Sequence, residues 1–223
     1  LSGEWGVGED QCGIAVEESV GASRMPVIYL TGAPATGKST LSRNLKRQFP
    51  ELIVFAYSEK LRELLSEKAS NSAIDENEIR AKSAVIISPR DIEELDNRLI
   101  KLVADNRKCA SILIDSHPVT KEKFGFRVTG FSAAQLEALN PDVIICLYAS
   151  ADTVMSRIKS NPMGRPQVSR FEADFHTHTQ VGIATQYGIQ LGRPVYLLDS
   201  DVPENELVAN AAAKAQLELR AGN

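Results

Sequence analysis

Gly32, Gly37, Lys38 and Ser39 stand in the stretch TGAPATGKST at the spacing G-x-x-x-x-G-K-[ST]. Glycine permits the backbone to curl so that successive N–H groups converge, and a following helix adds partial positive charge at its N-terminus. Such a turn is a cradle for a polyphosphate, here built from Gly32, Ala33, Pro34, Ala35, Thr36, Gly37, Lys38, Ser39 and Thr40. Lys38 would reach the terminal phosphates as a mobile point charge, and Ser39 would offer its hydroxyl to Mg²⁺. The competing interpretation is a glycine-rich turn that caps an ordinary helix, with Lys38 on its solvated face.

A magnesium-nucleotide site takes a carboxylate from a neighbouring strand end, and Asp115 closes the apolar run SILID. Asp115 could instead cap a turn. Ser116 follows it where a water-activating ATPase would carry Glu, and no N-K-x-D stands ready to read guanine; motor and GTPase-switch functions lose ground. Arg157, Arg165 and Arg170 lie in or beside SNPMGRPQVS, a stretch broken by two prolines and a glycine. A loop carrying arginines can close over a transferring phosphoryl group, excluding water and spreading its charge; each arginine taken singly could equally be solvated surface. His117, two residues after Asp115, belongs to the loop beside the cradle, in a site or a packing role. His176 and His178 stand two apart, so on a helix they do not share a face, and a metal pair is disfavoured.

These residues need a scaffold that brings strand ends together. VIYLT (27–31) reads as a buried strand, residues 38–48 as a helix ended by Pro50, and LIVFAY (52–57) as a second strand. From 58 to 108 the pattern is helical, with Ile92, Leu95, Leu99, Leu102 and Val103 on one face. SILID (111–115) is a third strand, followed by an irregular stretch to Phe131. Ser132 and Gln135 form a capping box before a helix, VIICLY (143–148) is a fourth strand, and a helix spans about 152–159. A longer helix over 170–191, a strand VYLL (195–198) and a last helix starting near Pro203 complete the chain. Strands alternating with helices predict an α/β fold with a parallel sheet covered on both faces.

The chain of 223 residues suits one domain with a sizeable core. Its composition is that of a soluble globular protein, and no apolar run approaches the ~18 residues of a membrane span. The net charge of −4 is carried by residues 1–24, which leaves the remainder formally neutral, without the basic excess of a general nucleic-acid binder. Residues 1–24, rich in Gly, Glu and Ser, read as a disordered extension or a stretch upstream of the folded unit, not a secretory signal. Cys12, Cys109 and Cys146 are isolated, which argues against structural zinc and a disulfide framework and suits a reducing cytoplasm.

VIYLTGAPATGKST, ILIDSHPVTKEKFGF and LEALNPDVIICLYASADTVMSRI together resemble the nucleoside monophosphate kinases, especially archaeal-type adenylate kinases. The likeness covers about 26–215. It implies a three-layer P-loop kinase fold with a five-stranded parallel sheet in the order 2-3-1-4-5. It also implies an acceptor-binding helical region at about 58–107 and a short lid at about 160–170, within a single domain over 25–223. The implied reaction is transfer of the γ-phosphoryl of Mg·ATP to a nucleoside monophosphate, AMP foremost. Ser58, Arg62 and His117 would face the acceptor, Arg157, Arg165 and Arg170 the transferring group, and residues 199–202 the donor adenine. Relatives of this type are often trimers, so a homo-oligomer is compatible with the resemblance, while no surface stripe in the sequence argues for assembly. One departure concerns acceptor identity: bacterial adenylate kinases carry arginine four residues after the strand-end Asp, where this chain has Val119, with Lys121, Lys123 and Arg127 as substitutes. The rival functions are a kinase of a hydroxylated metabolite, with Asp115 or Glu59 as base, and a nucleotide-dependent regulatory ATPase.

Overall fold

The computed structural model describes residues 25–68, 88–161 and 166–218. The segment 1–24 and Arg165 lie outside the described residues, as do parts of the acceptor region and the lid.

Strand β1 (Val27–Gly32) is buried along its whole length because it is the central strand. It pairs in parallel with β3 (Ile112–Asp115) on one side and β6 (Val143–Tyr148) on the other. Strand β2 (Ile53–Ala56) flanks β3, and β7 (Val195–Asp199) flanks β6. The sheet order β2-β3-β1-β6-β7 is the expected 2-3-1-4-5 once the two strands of an inserted hairpin are numbered along the chain. That hairpin, β4 (Val119–Glu122) with β5 (Gly125–Val128), occupies the stretch expected to be irregular. It turns through Lys123 and Phe124, and Gly125 supplies the positive φ of 140°.

Side-chain alternation along β1 divides the core in two. Ile28 and Leu30 face α1 (Lys38–Gln48) and α7 (Glu204–Ala215), packing on Leu41, Leu45, Leu207 and Ala211. Val27 and Tyr29 face α2 (Tyr57–Lys68), α3 (Pro89–Asn106), α4 (Ala133–Leu139) and α6 (Arg170–Leu191). On α3 the predicted stripe holds: Leu95, Leu99 and Val103 are buried, and Ile92 and Leu102 pack at its margin. Helix α5 (Ala151–Ser160) packs Val154 and Ile158 against Ala173 of α6. Two boundaries differ from expectation. Tyr57 opens α2 rather than ending β2, and Pro203 is the N-cap of α7 rather than part of its first turn. Among the described residues no helix is long and apolar enough to cross a membrane.

Candidate functional site

The glycine-rich turn joins the C-terminal end of β1 to α1, and its geometry explains its composition. Gly32 has φ +148°, and a Cβ there would lie 2.6 Å from the Leu147 carbonyl oxygen and 2.9 Å from Thr36 Oγ1. Gly37, at φ 90°, is the N-cap of α1 and has no side chain with which to cap it. Ala35 is also held at positive φ, 64°. Positive φ at 32, 35 and 37 curls the chain into the concave arrangement that converges amides on an anion. Thr36 Oγ1 donates to the Ala33 carbonyl at 2.7 Å, bracing the curl from inside. Lys38 Nζ donates to the Gly32 carbonyl at 2.7 Å and so lies across the turn.

Asp115 ends β3 beside this turn and accepts from Ser42 Oγ of α1 at 3.2 Å. Burial raises its carboxyl above the usual range, opposed by the Lys38 charge and the Ser42 hydroxyl. Arg157 reaches across from α5. Its guanidinium donates to the Ala35 carbonyl at 3.2 Å, to Ser200 Oγ at 3.1 Å and to the Ser200 carbonyl at 2.8 Å, with Asp201 at 3.5 Å. One arginine thereby ties the phosphate-binding turn to the loop after β7.

A cleft of about 1230 Å³ opens over these groups. It runs from the turn, past Asp115 and Ser116, to a far end walled by Tyr29, Tyr57, Phe131 and Tyr187. There Asp96 of α3 accepts from Tyr57 Oη at 2.8 Å and from Gln135 Nε2 at 2.8 Å. Burial raises the Asp96 carboxyl, while both hydrogen bonds act to lower it. The hairpin forms another wall. Buried His176 holds it to α6, with Nε2–H donating to the Val119 carbonyl at 3.0 Å. Burial brings that imidazole down to about 4 against the pull of the carbonyl, and the charges of Lys38 and Lys121 act with burial.

Ser58 and His117 line the cleft, as do all the turn residues from Ala33 to Thr40. Arg62 is half-buried on α2 and does not line it. Arg170 is exposed and paired with Asp152. Of the three candidate substitutes for the missing arginine, Lys121 and Arg127 line the cleft and Lys123 does not. Lys121 pairs with Glu172 at 3.1 Å and Arg127 with Glu122 at 3.1 Å. His178 lies exposed, bonded to the Asp174 carbonyl of its own helix. Sequence reasoning missed Asp96, Tyr57 and Gln180. Gln180 is fully buried and donates from Nε2 to Thr31 Oγ1 at 2.6 Å, beside the turn. Its place four residues after His176 and four before Ala184, on the buried face of α6, was the available signal.

A protein-family model described as "AAA domain" matches residues 31–172. The chain belongs to that family. The matched stretch runs from the phosphate-binding turn through the hairpin to the start of α6, so this P-loop domain contains most of the cleft. The adenylate kinase of Methanocaldococcus jannaschii is 24% identical over 190 residues, 80% of this chain and 95% of its own. That of Methanopyrus kandleri is 26% identical over 176 residues, 78% and 88%. That of Thermococcus onnurineus is 25% identical over 134 residues, 59% of this chain, and there the match spans 63% of the relative's length. Among solved structures, the Deinococcus radiodurans tunicamycin resistance protein superposes with a TM-score of 0.54 at 18% identity, covering 89% of this chain and all of that one. A gluconokinase from Sinorhizobium meliloti gives 0.51 at 13%, covering 86% and 93%. The sequence relatives support a kinase, and the superpositions establish the α/β three-layer architecture.

Proposed function

We propose that this P-loop kinase transfers the γ-phosphoryl group of Mg·ATP to a nucleoside monophosphate, AMP foremost. The observation that carries the reading is a single cleft holding the curled turn with Lys38 at one end and an aromatic-walled compartment at the other. A donor triphosphate fits the first and a base-bearing acceptor the second, which leaves the two phosphate groups facing one another between them.

An anionic acceptor phosphate oxygen attacks the γ-phosphorus in line as the bond to the β–γ bridging oxygen breaks, and ADP leaves. No protein base is needed because the nucleophile already carries its negative charge. Lys38 and the amides of the turn hold the β- and γ-phosphates. Arg157 stands where it can spread the charge of the moving group, and Arg165 and Arg170 are assigned to the same role from their place in the sequence. Ser39 and Asp115 are the hard oxygen donors that would hold Mg²⁺ beside the phosphate-binding turn. When bound, the ion neutralises charge on the β- and γ-oxygens. Ser58 and His117 face the acceptor, and Arg62, which stands outside the cleft lining, is assigned to its phosphate on condition that its side chain swings inward when the acceptor binds. The kinase unit is taken as one domain over 25–223, working in a reducing cytoplasm.

A panel of nucleoside monophosphates, sugars and polyols with Mg·ATP tests the reading. Rapid ADP formation with AMP is expected, and turnover only with hydroxylated metabolites would replace this function with one using Asp115 as base. Lys38→Ala should lower turnover by roughly two to three orders of magnitude; unchanged turnover would remove Lys38 from the mechanism.

A further inference from the structure

The geometry points to Asp96 as the specificity-determining residue of the acceptor compartment, selecting a flat ring with an exocyclic amino group over the same ring with a carbonyl in its place. This inference rests on the nucleoside monophosphate reading of the cleft and deepens it.

Four rings wall the compartment. Phe131 meets Tyr29 at 6.1 Å and Tyr57 at 6.3 Å, both near 70°, and Tyr29 meets Tyr187 at 5.7 Å. Ring faces and edges of this kind accept another flat ring, whereas a polyol offers nothing to stack. Tyr187 Oη accepts the Phe131 N–H at 2.8 Å, which holds Phe131 in the wall.

Asp96 lines the cleft although only 6% of it is exposed. Each of its oxygens already accepts one hydrogen bond, Oδ1 from Tyr57 and Oδ2 from Gln135. Gln135 cannot turn its amide over, because its Oε1 accepts the Ser132 N–H at 2.8 Å in the capping box of α4. Asp96 is therefore fixed as an acceptor on both sides, and each oxygen keeps a further lone pair. An amino N–H satisfies one of these. A ring carbonyl in the same place sets acceptor against acceptor at a carboxylate that is 6% exposed, an arrangement that discriminates more strongly than shape does.

The test uses the full chain with Mg·ATP and two matched pairs, AMP against IMP and CMP against UMP, which exchange the amino group for a carbonyl. In the wild type, kcat/KM should favour the amino member of each pair by about tenfold or more. In Asp96→Asn the amide oxygen can face Gln135 and the amide nitrogen can donate to the Tyr57 oxygen, so the fold is kept and an acceptor is lost. The ratio should then fall to within about threefold, with the KM for ATP unchanged. A merely structural role would lower both members of a pair together and leave the ratio intact. Tyr57→Phe supplies a second variant, which frees Oδ1 and should preserve or raise the ratio. Equal use of the paired substrates by the wild type, an unchanged ratio in Asp96→Asn, or a collapsed ratio in Tyr57→Phe would each overturn the assignment to Asp96 while leaving the kinase reading standing. Absence of turnover with every nucleoside monophosphate would overturn both.

Discussion

Gly32 and Gly182 show how differently one residue type can act within a single chain. At Gly32 the positive φ and the approach of the Leu147 carbonyl exclude any side chain. Gly182 lies in α6 with open space where a Cβ would go. Gly32→Ala should therefore cost about 1–3 kcal/mol in backbone strain and displacement, and it should weaken ATP binding because the amides of the turn no longer converge. Gly182→Ala should stabilise by roughly 0.5–1 kcal/mol, since alanine loses less freedom in a helix than glycine does. Urea denaturation of the two variants checks both signs; destabilisation by Gly182→Ala or indifference to Gly32→Ala would contradict this account of the turn. Arg157 illustrates a different matter at this scale. Its position on a helix near a broken loop was legible in the sequence, but its partners were not. They come from residue 35 on one side and residues 200 and 201 on the other, joined only when the parallel sheet brings the C-terminal ends of β1 and β7 to the same end.

Among the elements, the hairpin β4–β5 separates what sequence reading could find from what it could not. The phosphate-binding turn, α4 and α6 were readable because a fixed spacing, a capping pattern or a long run specifies each locally. The hairpin has four-residue strands with only Val119 fully buried, so its alternation is too short and too polar to stand out. Much of its hold on the body comes from α6, through Lys121 to Glu172 and through His176 to Val119. That attachment should depend on pH. His176 titrates near 4 in the fold and near 6.5 in an unfolded chain. Between those values the unfolded state takes up a proton that the native state refuses, so this residue's contribution to stability falls as pH drops from about 6.5 towards 4. Above 6.5 both states are neutral and the contribution is constant. Replacing His176 with Gln, which can still donate to the Val119 carbonyl, should flatten this part of the stability profile by up to roughly 3 kcal/mol. Denaturation curves of wild type and His176→Gln at several pH values provide the comparison. Parallel profiles would mean that His176 takes up its proton in the folded protein as readily as in the unfolded chain.

For the molecule as a whole, the cleft is where the separately packed pieces meet. α1 and α7 cover one sheet face, while α2, α3, α4 and α6 cover the other. The cleft draws its lining from both sets and from the hairpin. A ligand that fills it adds contacts across those boundaries, contacts that the unfolded chain cannot offer. Ligand binding should therefore appear as global stability. ATP with Mg²⁺ at a hundredfold excess over its dissociation constant contributes about 2.7 kcal/mol, which for a chain of this size corresponds to a rise in Tm of roughly 5–10 °C. Adenosine lacks the triphosphate that the turn is shaped to hold, and at the same concentration it should give little shift. Lys38→Ala should lose most of the ATP-induced rise while its ligand-free Tm stays near that of the wild type, because a half-exposed lysine contributes little to the fold itself. Equal shifts with adenosine and ATP would place the binding energy in the base compartment rather than at the phosphate-binding turn.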